Sequence, residues 1–219
     1  MATHIWEMAE YSDWGEPFDA VAGTEWRKLC DLPKQHFLGG VRPCLHEGSA
    51  GILLYFRLAL QRVIAEKNLT KQYDTFVVSR TDHLYKCNHS LLFLSDLNKV
   101  WHFEGEGYGG VTDRHFVVSA NKVLQVLNVT YDLLVDPNIM MEYAKNRDQP
   151  INLEVLTMDW YMRNRIEWTS SLPRTAFTVR GKDDPTRWSK GEFVHGHGLD
   201  DLKVKYMEEY KTTMLNCKS

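Results

Sequence analysis

The sequence has no segment long enough to cross a membrane. Its longest apolar run, Gly51 to Phe56, falls far short of the roughly 20 residues a spanning helix needs. Its four cysteines, Cys30, Cys44, Cys87 and Cys217, contain no Cys-x-x-Cys pair, so no zinc-ligand spacing is present. A reduced, intracellular chain is the simpler expectation. The opening residues, Met1 to Glu7, lack a basic start followed by an apolar stretch. No signal peptide is read there, and a cytoplasmic location is expected. Neither sign of charge dominates, since 26 Lys and Arg stand against 29 Asp and Glu for a formal net charge of −3. That balance argues against a nucleic-acid binder, which usually shows a basic face. One local basic pocket for a phosphate group stays compatible with it. Internal repeats and low-complexity stretches are also missing.

What is present fits one globular domain over residues 1–219, or the front part of a longer protein. With 43% hydrophobic and 25% charged residues, the chain can bury a core without metals or disulfides holding it together. Three Asn-x-Ser/Thr sequons, at Asn68, Asn88 and Asn128, read as chance matches in the absence of a secretory signal.

The hydrophobic pattern alternates helices with short apolar strands. His4 to Met8 reads as a strand. Ser49 caps a helix on which Ile52, Tyr55, Phe56, Ala59 and Val63 recur at helical spacing, ending near Asn68. Thr75 to Val78 reads as a fully buried strand, with further strands at Leu91–Leu94, Trp101–Phe103 and Phe116–Val118. Helices are expected at Lys122–Leu127, after Asp136-Pro137, and from Asn152 to Ile166. A last strand is expected at Ala176–Val179, and an amphipathic helix from Leu199 to Leu215. This order predicts an α/β fold with a mixed, mostly parallel central sheet flanked by helices.

The chemistry concentrates where the Thr75–Val78 strand ends, at Ser79-Arg80-Thr81-Asp82. Ligands of open α/β sheets sit at the carboxyl ends of strands. Asp82 offers oxygens to a hard divalent cation, and Arg80 and Thr81 can bond phosphate or ribose oxygens. The plain alternative is a surface turn with an internal Arg–Asp pair. Gly105 to Gly110 is neither a Rossmann nor a P-loop fingerprint. Its glycines permit close backbone approach to a ligand, and Asp113 and Arg114 follow it. Asp113 can bind a sugar hydroxyl or act as a base, with Arg114 as its partner. A tight loop with a structural Asp–Arg pair explains the same residues. Arg57 is an arginine on an apolar helix, and Glu154 is a carboxylate in a helix's first turn, where the dipole favours it. Trp160, Tyr161, Trp168 and Trp188 have faces that suit sugars, but at this density aromatics usually belong to a core.

These segments carry a resemblance. Tyr55-Phe56-Arg57, Tyr73-Asp74 and Arg80-Thr81-Asp82 resemble the core of GT-A glycosyltransferases, where a Tyr-Phe-Arg helix precedes Tyr-Asp, a buried strand and an Asp-x-Asp motif. Ser79 to Tyr85, taken with Gly107 to Arg114, is similar to the glycosyltransferases of chlorella viruses, which are associated with glycans of the capsid protein. The opening His4-Ile5-Trp6 resembles that family's first strand, and the match covers most of residues 3 to 180.

The resemblance implies a UDP-sugar donor, with glucose or L-rhamnose as the sugar. It implies a glycan or glycoprotein acceptor such as a viral capsid protein, in the host cytoplasm for a viral chain. It places His4, Trp6, Ser79, Arg80, Thr81 and Asp82 against the nucleotide sugar, and Arg57 near the sugar or the Asp82 strand end. Lys203, or Lys205 in its place, would reach the diphosphate. Asp113, Arg114, Glu154 and Arg57 would act at the reacting centre. Mn²⁺, or Mg²⁺, would be held by Asp82 with His195 or His197, and a histidine-terminated pattern of this kind leans towards retention. The departure from the family is Arg80, which stands where the first Asp of Asp-x-Asp would be. Its presence keeps two other readings open: a nucleotide-sugar-binding domain without catalysis, and a metal-dependent hydrolase using His195, His197 and Asp82.

Overall fold

The computed structural model describes residues 5–32, 35–44, 48, 50–105, 107–145, 147–184, 190–194 and 201–218. In chain order, α1 (Glu16–Ala22) and a 3-10 helix (Glu25–Asp31) precede the long α2 (Ala50–Glu66). Then come β1 (Thr75–Ser79), β2 (His83–Tyr85), β3 (Val100–Phe103) and β4 (His115–Ser119). Four helices follow: α3 (Ala120–Leu127), α4 (Val129–Val135), α5 (Pro137–Lys145) and α6 (Leu153–Arg163). The chain ends through β5 (Trp168–Leu172), β6 (Ala176–Gly181), β7 (Glu192–Phe193), β8 (Leu202–Val204) and α7 (Met207–Asn216). Among the described residues no helix is long and apolar enough to cross a membrane.

The fold is α/β, but the sheets differ from the expectation. One sheet has the order β1-β4-β3-β5 and the other β2-β6-β8-β7. Of the six pairings among the described residues only β3·β5 is parallel, so a mostly parallel sheet is not what these strands form. The antiparallel arrangement also explains why β1 is not fully buried. It is an edge strand paired with β4 alone, and Val77 is 51% exposed. An edge strand of an antiparallel sheet keeps one face open, whereas central β4 is buried at every position.

The chain divides into two compact units, Met1–Leu69 with Leu124–Leu156, and Thr70–Val123 with Thr157–Ser219. In the first, Phe18 and Trp26 meet edge to face at 5.4 Å and are fully buried with Leu29, Phe37 and Leu38. Helix α2 has the expected bounds and a rotated face. It buries Leu54, Arg57, Leu58 and Ile64, while Phe56 is 42% exposed. The segment from residue 5 to residue 8 is exposed and irregular, so the strand expected at the N-terminus is not formed over those residues. Asn152 caps α6 as expected, its Oδ1 accepting the Val155 N–H at 2.8 Å.

In the second unit Trp101, Phe103, Val117, Leu172 and Ala176 form one cluster of the core. Phe177 and Val204 form another, joined by Leu84, Val179, Met207 and Tyr210. Leu91–Leu94 is not a strand but largely overlaps a 3-10 helix at Leu92–Ser95. The stretch expected as one helix from Leu199 splits into β8 and α7. Val204, β-branched and buried, pairs with Val179, and the helix starts only after extended Tyr206. Trp160 and Tyr161 are buried core residues rather than an open sugar platform. Ser49 and Trp188 lie outside the described residues.

All four cysteines are paired, as Cys30–Cys44 and Cys87–Cys217. The expectation of reduced cysteines rested on their spacing along the sequence. Chain folding brings partners together across 14 and 130 residues, which spacing cannot display.

Candidate functional site

Strand β1 ends at Ser79, and the turn Arg80-Thr81-Asp82 carries the chain from the first sheet into the second. The turn closes with His83 N–H on Arg80 O at 3.3 Å, and Asp82 O accepts Val179 N–H at 2.9 Å. That second bond fixes the turn against β6, whose next residue is Arg180. Strand β8 runs antiparallel beside β6, with Arg180 opposite Lys203 and Lys205 N–H bonded to Thr178 O at 2.9 Å. Three segments distant in sequence therefore deliver charged side chains to one place.

Asp82 is clamped by two guanidinium groups. Arg80 donates to both of its oxygens, Nε to Oδ1 at 2.9 Å and Nη2 to Oδ2 at 2.7 Å. Arg180 Nη1 donates to Oδ2 as well. Burial works against the carboxylate's charge, but the bonds and charge of Arg80 and Arg180 overcome it and hold its pKa at about 2. Arg80 is raised in turn: burial opposes its charge, and Asp82 and then Asp113 outweigh that. Lys205 lies on the cationic side of this group. Burial and the charges of Arg180, Arg80 and Arg114 lower its pKa to about 8, against the opposing pull of Asp82.

A second ion pair lies deeper. Arg114 is bonded to Glu209 of α7, and Arg174 Nη1 stands 3.5 Å from the same Oε1. The other Glu209 oxygen accepts from Thr178 N at 3.0 Å and Thr178 Oγ1 at 2.8 Å. Burial opposes the Arg114 charge, and Glu209, Tyr206 and Asp113 outweigh it and hold the guanidinium protonated. Its flat face lies 4.5 Å from the Tyr206 ring centre and 5.3 Å from that of Tyr108, a cation–π arrangement. Lys205 Nζ is 5.0 Å from the same Tyr206 ring. The glycine-rich segment is what presents Tyr108. Gly110 N–H bonds Gly107 O at 2.7 Å, with Tyr108 at φ 44 and Gly109 at φ 85, a tight turn that glycine makes accessible.

Ser79 belongs to a chain of polar contacts behind the turn. Tyr85 Oη donates to Ser79 Oγ at 2.8 Å, and Ser79 Oγ is 3.2 Å from His83 Nδ1. His115 Nδ1 is 3.0 Å from Tyr85 Oη, and its Nε2 is 2.7 Å from His89 Nε2. Phe103 stacks on His115 at 3.9 Å. Burial lowers the pKa of His83 to about 4 and that of His115 to about 2, the neighbouring His89 and His83 adding to the latter. Both rings are neutral at pH 7.

The structure thus brings together Arg80, Asp82, Asp113 and Arg114 of the expected residues, with Ser79 and Thr81 beside them. The internal Arg–Asp pair of the turn is real and is reinforced by Arg180. Arg114 pairs with Glu209, and the charge of Asp113 adds to what holds it protonated. Of the two lysines expected at the diphosphate, Lys203 lies opposite Arg180 with its Nζ on Asp184 O at 2.8 Å, and Lys205 is the one buried near Arg180 and Asp82. Trp6, Arg57 and Glu154 belong to the first unit, and the cluster just described belongs to the second. His4, His195 and His197 lie outside the described residues.

Arg180, Arg174 and Glu209 were not anticipated. Arg180 follows an apolar strand and Glu209 sits in a charged helix, positions where most charges are solvated. A Mn²⁺ or Mg²⁺ at Asp82, as the resemblance implies, would have to displace an arginine from it. Both carboxylate oxygens are occupied by guanidinium donors, and a cation there would face two fixed positive charges. Among the described residues no group of three His, Cys, Asp or Glu side chains is placed to hold a metal ion. No family model matches the chain, and no curated protein matches it in sequence.

Proposed function

We propose that the chain is a glycosyltransferase that moves a hexose, glucose or L-rhamnose, from a UDP-sugar to a glycan or glycoprotein acceptor. A viral capsid protein is one such acceptor. The observation that supports it is the gathering of Arg80, Arg180, Lys205 and Arg114 around the strand-end turn at Asp82. Glycosyl transfer from a nucleotide sugar needs positive groups where the leaving diphosphate gains charge. Ordered guanidinium groups provide this without reorganising at the moment of transfer. Asp113, half-buried beside Arg80 and Arg114, is the carboxylate suited to a sugar hydroxyl. Nothing in this arrangement selects retention over inversion. The two disulfides favour a compartment more oxidising than the cytoplasm.

A binding domain without catalysis is the second reading, and the Arg80–Asp82–Arg180 clamp favours it because Asp82 is tied up by two arginines. Incubation with a panel of nucleoside-diphosphate sugars and glycan acceptors separates the two. Released UDP together with a glycosylated product supports transfer. Tight UDP binding without product supports the binding domain. Equal affinity for UDP, GDP and CMP would remove the donor assignment.

A further inference from the structure

We infer that Arg180 and Lys205, together with Arg80, hold the donor's diphosphate in place of a metal ion, with Asp82 as their counter-charge. This rests on the glycosyltransferase reading above and names how its donor is bound.

The argument begins with charge. Two guanidinium groups, Arg80 and Arg180, share one carboxylate, Asp82, so the clamp itself carries more positive than negative charge. A sugar-linked diphosphate carries one negative charge on each phosphate and is attracted to such a clamp. The cations are held together by backbone structure rather than by chance contacts. Arg80 and Asp82 share one turn, Val179 N–H fixes that turn to β6, and β8 carries Lys205 alongside. Lys205 is buried, and among the charges acting on it those of Arg180, Arg80 and Arg114 oppose its own while that of Asp82 favours it. Such repulsion is relieved when an anion arrives.

The geometry also allows an exchange of partners. Asp82 already has both oxygens satisfied by Arg80 alone. Arg180 therefore can leave Asp82 for a phosphate oxygen without stranding the carboxylate. Arg180 is also tied by Nη1 to Val179 O at 2.9 Å, which keeps the guanidinium at the turn while it changes partner. A guanidinium presents a fixed fork of donors and matches phosphate oxygens in pairs. In a metal site Asp82 would be a ligand and its loss would weaken binding. As a counter-charge it competes with the diphosphate for Arg180, and its neutralisation should strengthen binding.

The experiment is calorimetric titration of the full chain with UDP, in EDTA and again in Mn²⁺, with inorganic pyrophosphate as competitor. Binding in EDTA is expected within about twofold of that in Mn²⁺, with pyrophosphate displacing UDP. Arg180→Gln should weaken metal-free binding roughly ten- to hundredfold, Lys205→Gln should also weaken it, and Arg180→Lys should recover part of the loss. Asp82→Asn should tighten it. Thermal melts identify folded variants, and Lys205→Gln and Arg180→Lys serve if Arg180→Gln does not fold. UDP binding that requires Mn²⁺, or that is lost in folded Asp82→Asn, overturns the inference and leaves the glycosyltransferase reading standing. Unchanged affinity in both Arg180→Gln and Lys205→Gln overturns the inference as well. Failure of UDP to bind in either buffer overturns both.

Discussion

Asp82 and Glu209 are both carboxylates held by two arginines, yet their surroundings assign them different work. Glu209 has a side chain 1% exposed, and its partners Arg114 and Arg174 are 7% and 4% exposed. Thr178 takes the remaining oxygen. Every group in that cage is satisfied and closed to solvent. Asp82 and Arg180 are 19% and 21% exposed, and a further cation, Lys205, stands beside them. A complete, buried ion pair holds structure in place, because breaking it strands a charge. A partly open pair with surplus charge can exchange a partner at low cost.

The largest effect expected from this contrast is on Glu209. Glu209→Gln leaves Arg114 and Arg174 buried without their counter-charge, and should destabilise the protein by about 3–5 kcal/mol. Urea denaturation measures it, and a loss below 1 kcal/mol would erase the distinction between the two carboxylates. Arg80→Ala should show the reverse profile. Donor affinity falls by about 1.5–3 kcal/mol, while the free protein loses about 1 kcal/mol or less, since this pair is partly solvated. A variant that melts early and still binds UDP normally would make Arg80 structural.

Mild acid should act on the polar chain behind the turn. The folded pKa values of His83 and His115 lie below the unfolded value, at about 4 and about 2. Below pH 6.5 the unfolded chain therefore binds more protons, and stability falls as pH falls. Between pH 7 and pH 5 each ring contributes a loss of roughly 2 kcal/mol. Denaturation at both pH values checks this, and His115→Phe should flatten the slope. The smallest effect concerns Lys205. Metal-free UDP affinity should decline modestly as pH rises past about 8, where the ammonium loses its proton. A pH-independent affinity from 7 to 9.5 would take Lys205 out of the site.

How much of this could be seen beforehand depends on whether local pattern or pairing decided it. Helices α2, α5 and α6 follow from apolar spacing, Pro137 at the first position of α5, and the Asn152 cap. Strand β5, Trp168-Thr-Ser-Ser-Leu172, has almost no apolar alternation and exists because β3 pairs with it. The rotated face of α2 has a similar origin. Tyr55 and Phe56 looked like core, but they join Tyr11 and Trp14 in an aromatic group instead. At the site, the turn from Arg80 to Asp82 was legible because its charges are neighbours in sequence. The partners that define it, Arg180 and Glu209, lie 98 residues beyond Asp82 and 95 residues beyond Arg114. Only strand and helix packing brings them in.

The Cys87–Cys217 bond acquires a particular meaning from this arrangement. Cys217 follows the last residue of α7, and Cys87 lies two residues beyond β2. The bond closes a loop of 130 residues that contains β3 to β6, β8 and the helix bearing Glu209. Closing a ring of that size removes conformational freedom from the unfolded chain worth about 5 kcal/mol. Reduction returns that freedom and loosens the helix that keeps a carboxylate under Arg114 and Arg174. Dithiothreitol should then lower the melting temperature and release UDP together. The thiol balance of its surroundings thereby becomes a condition for the protein to hold its charges in register.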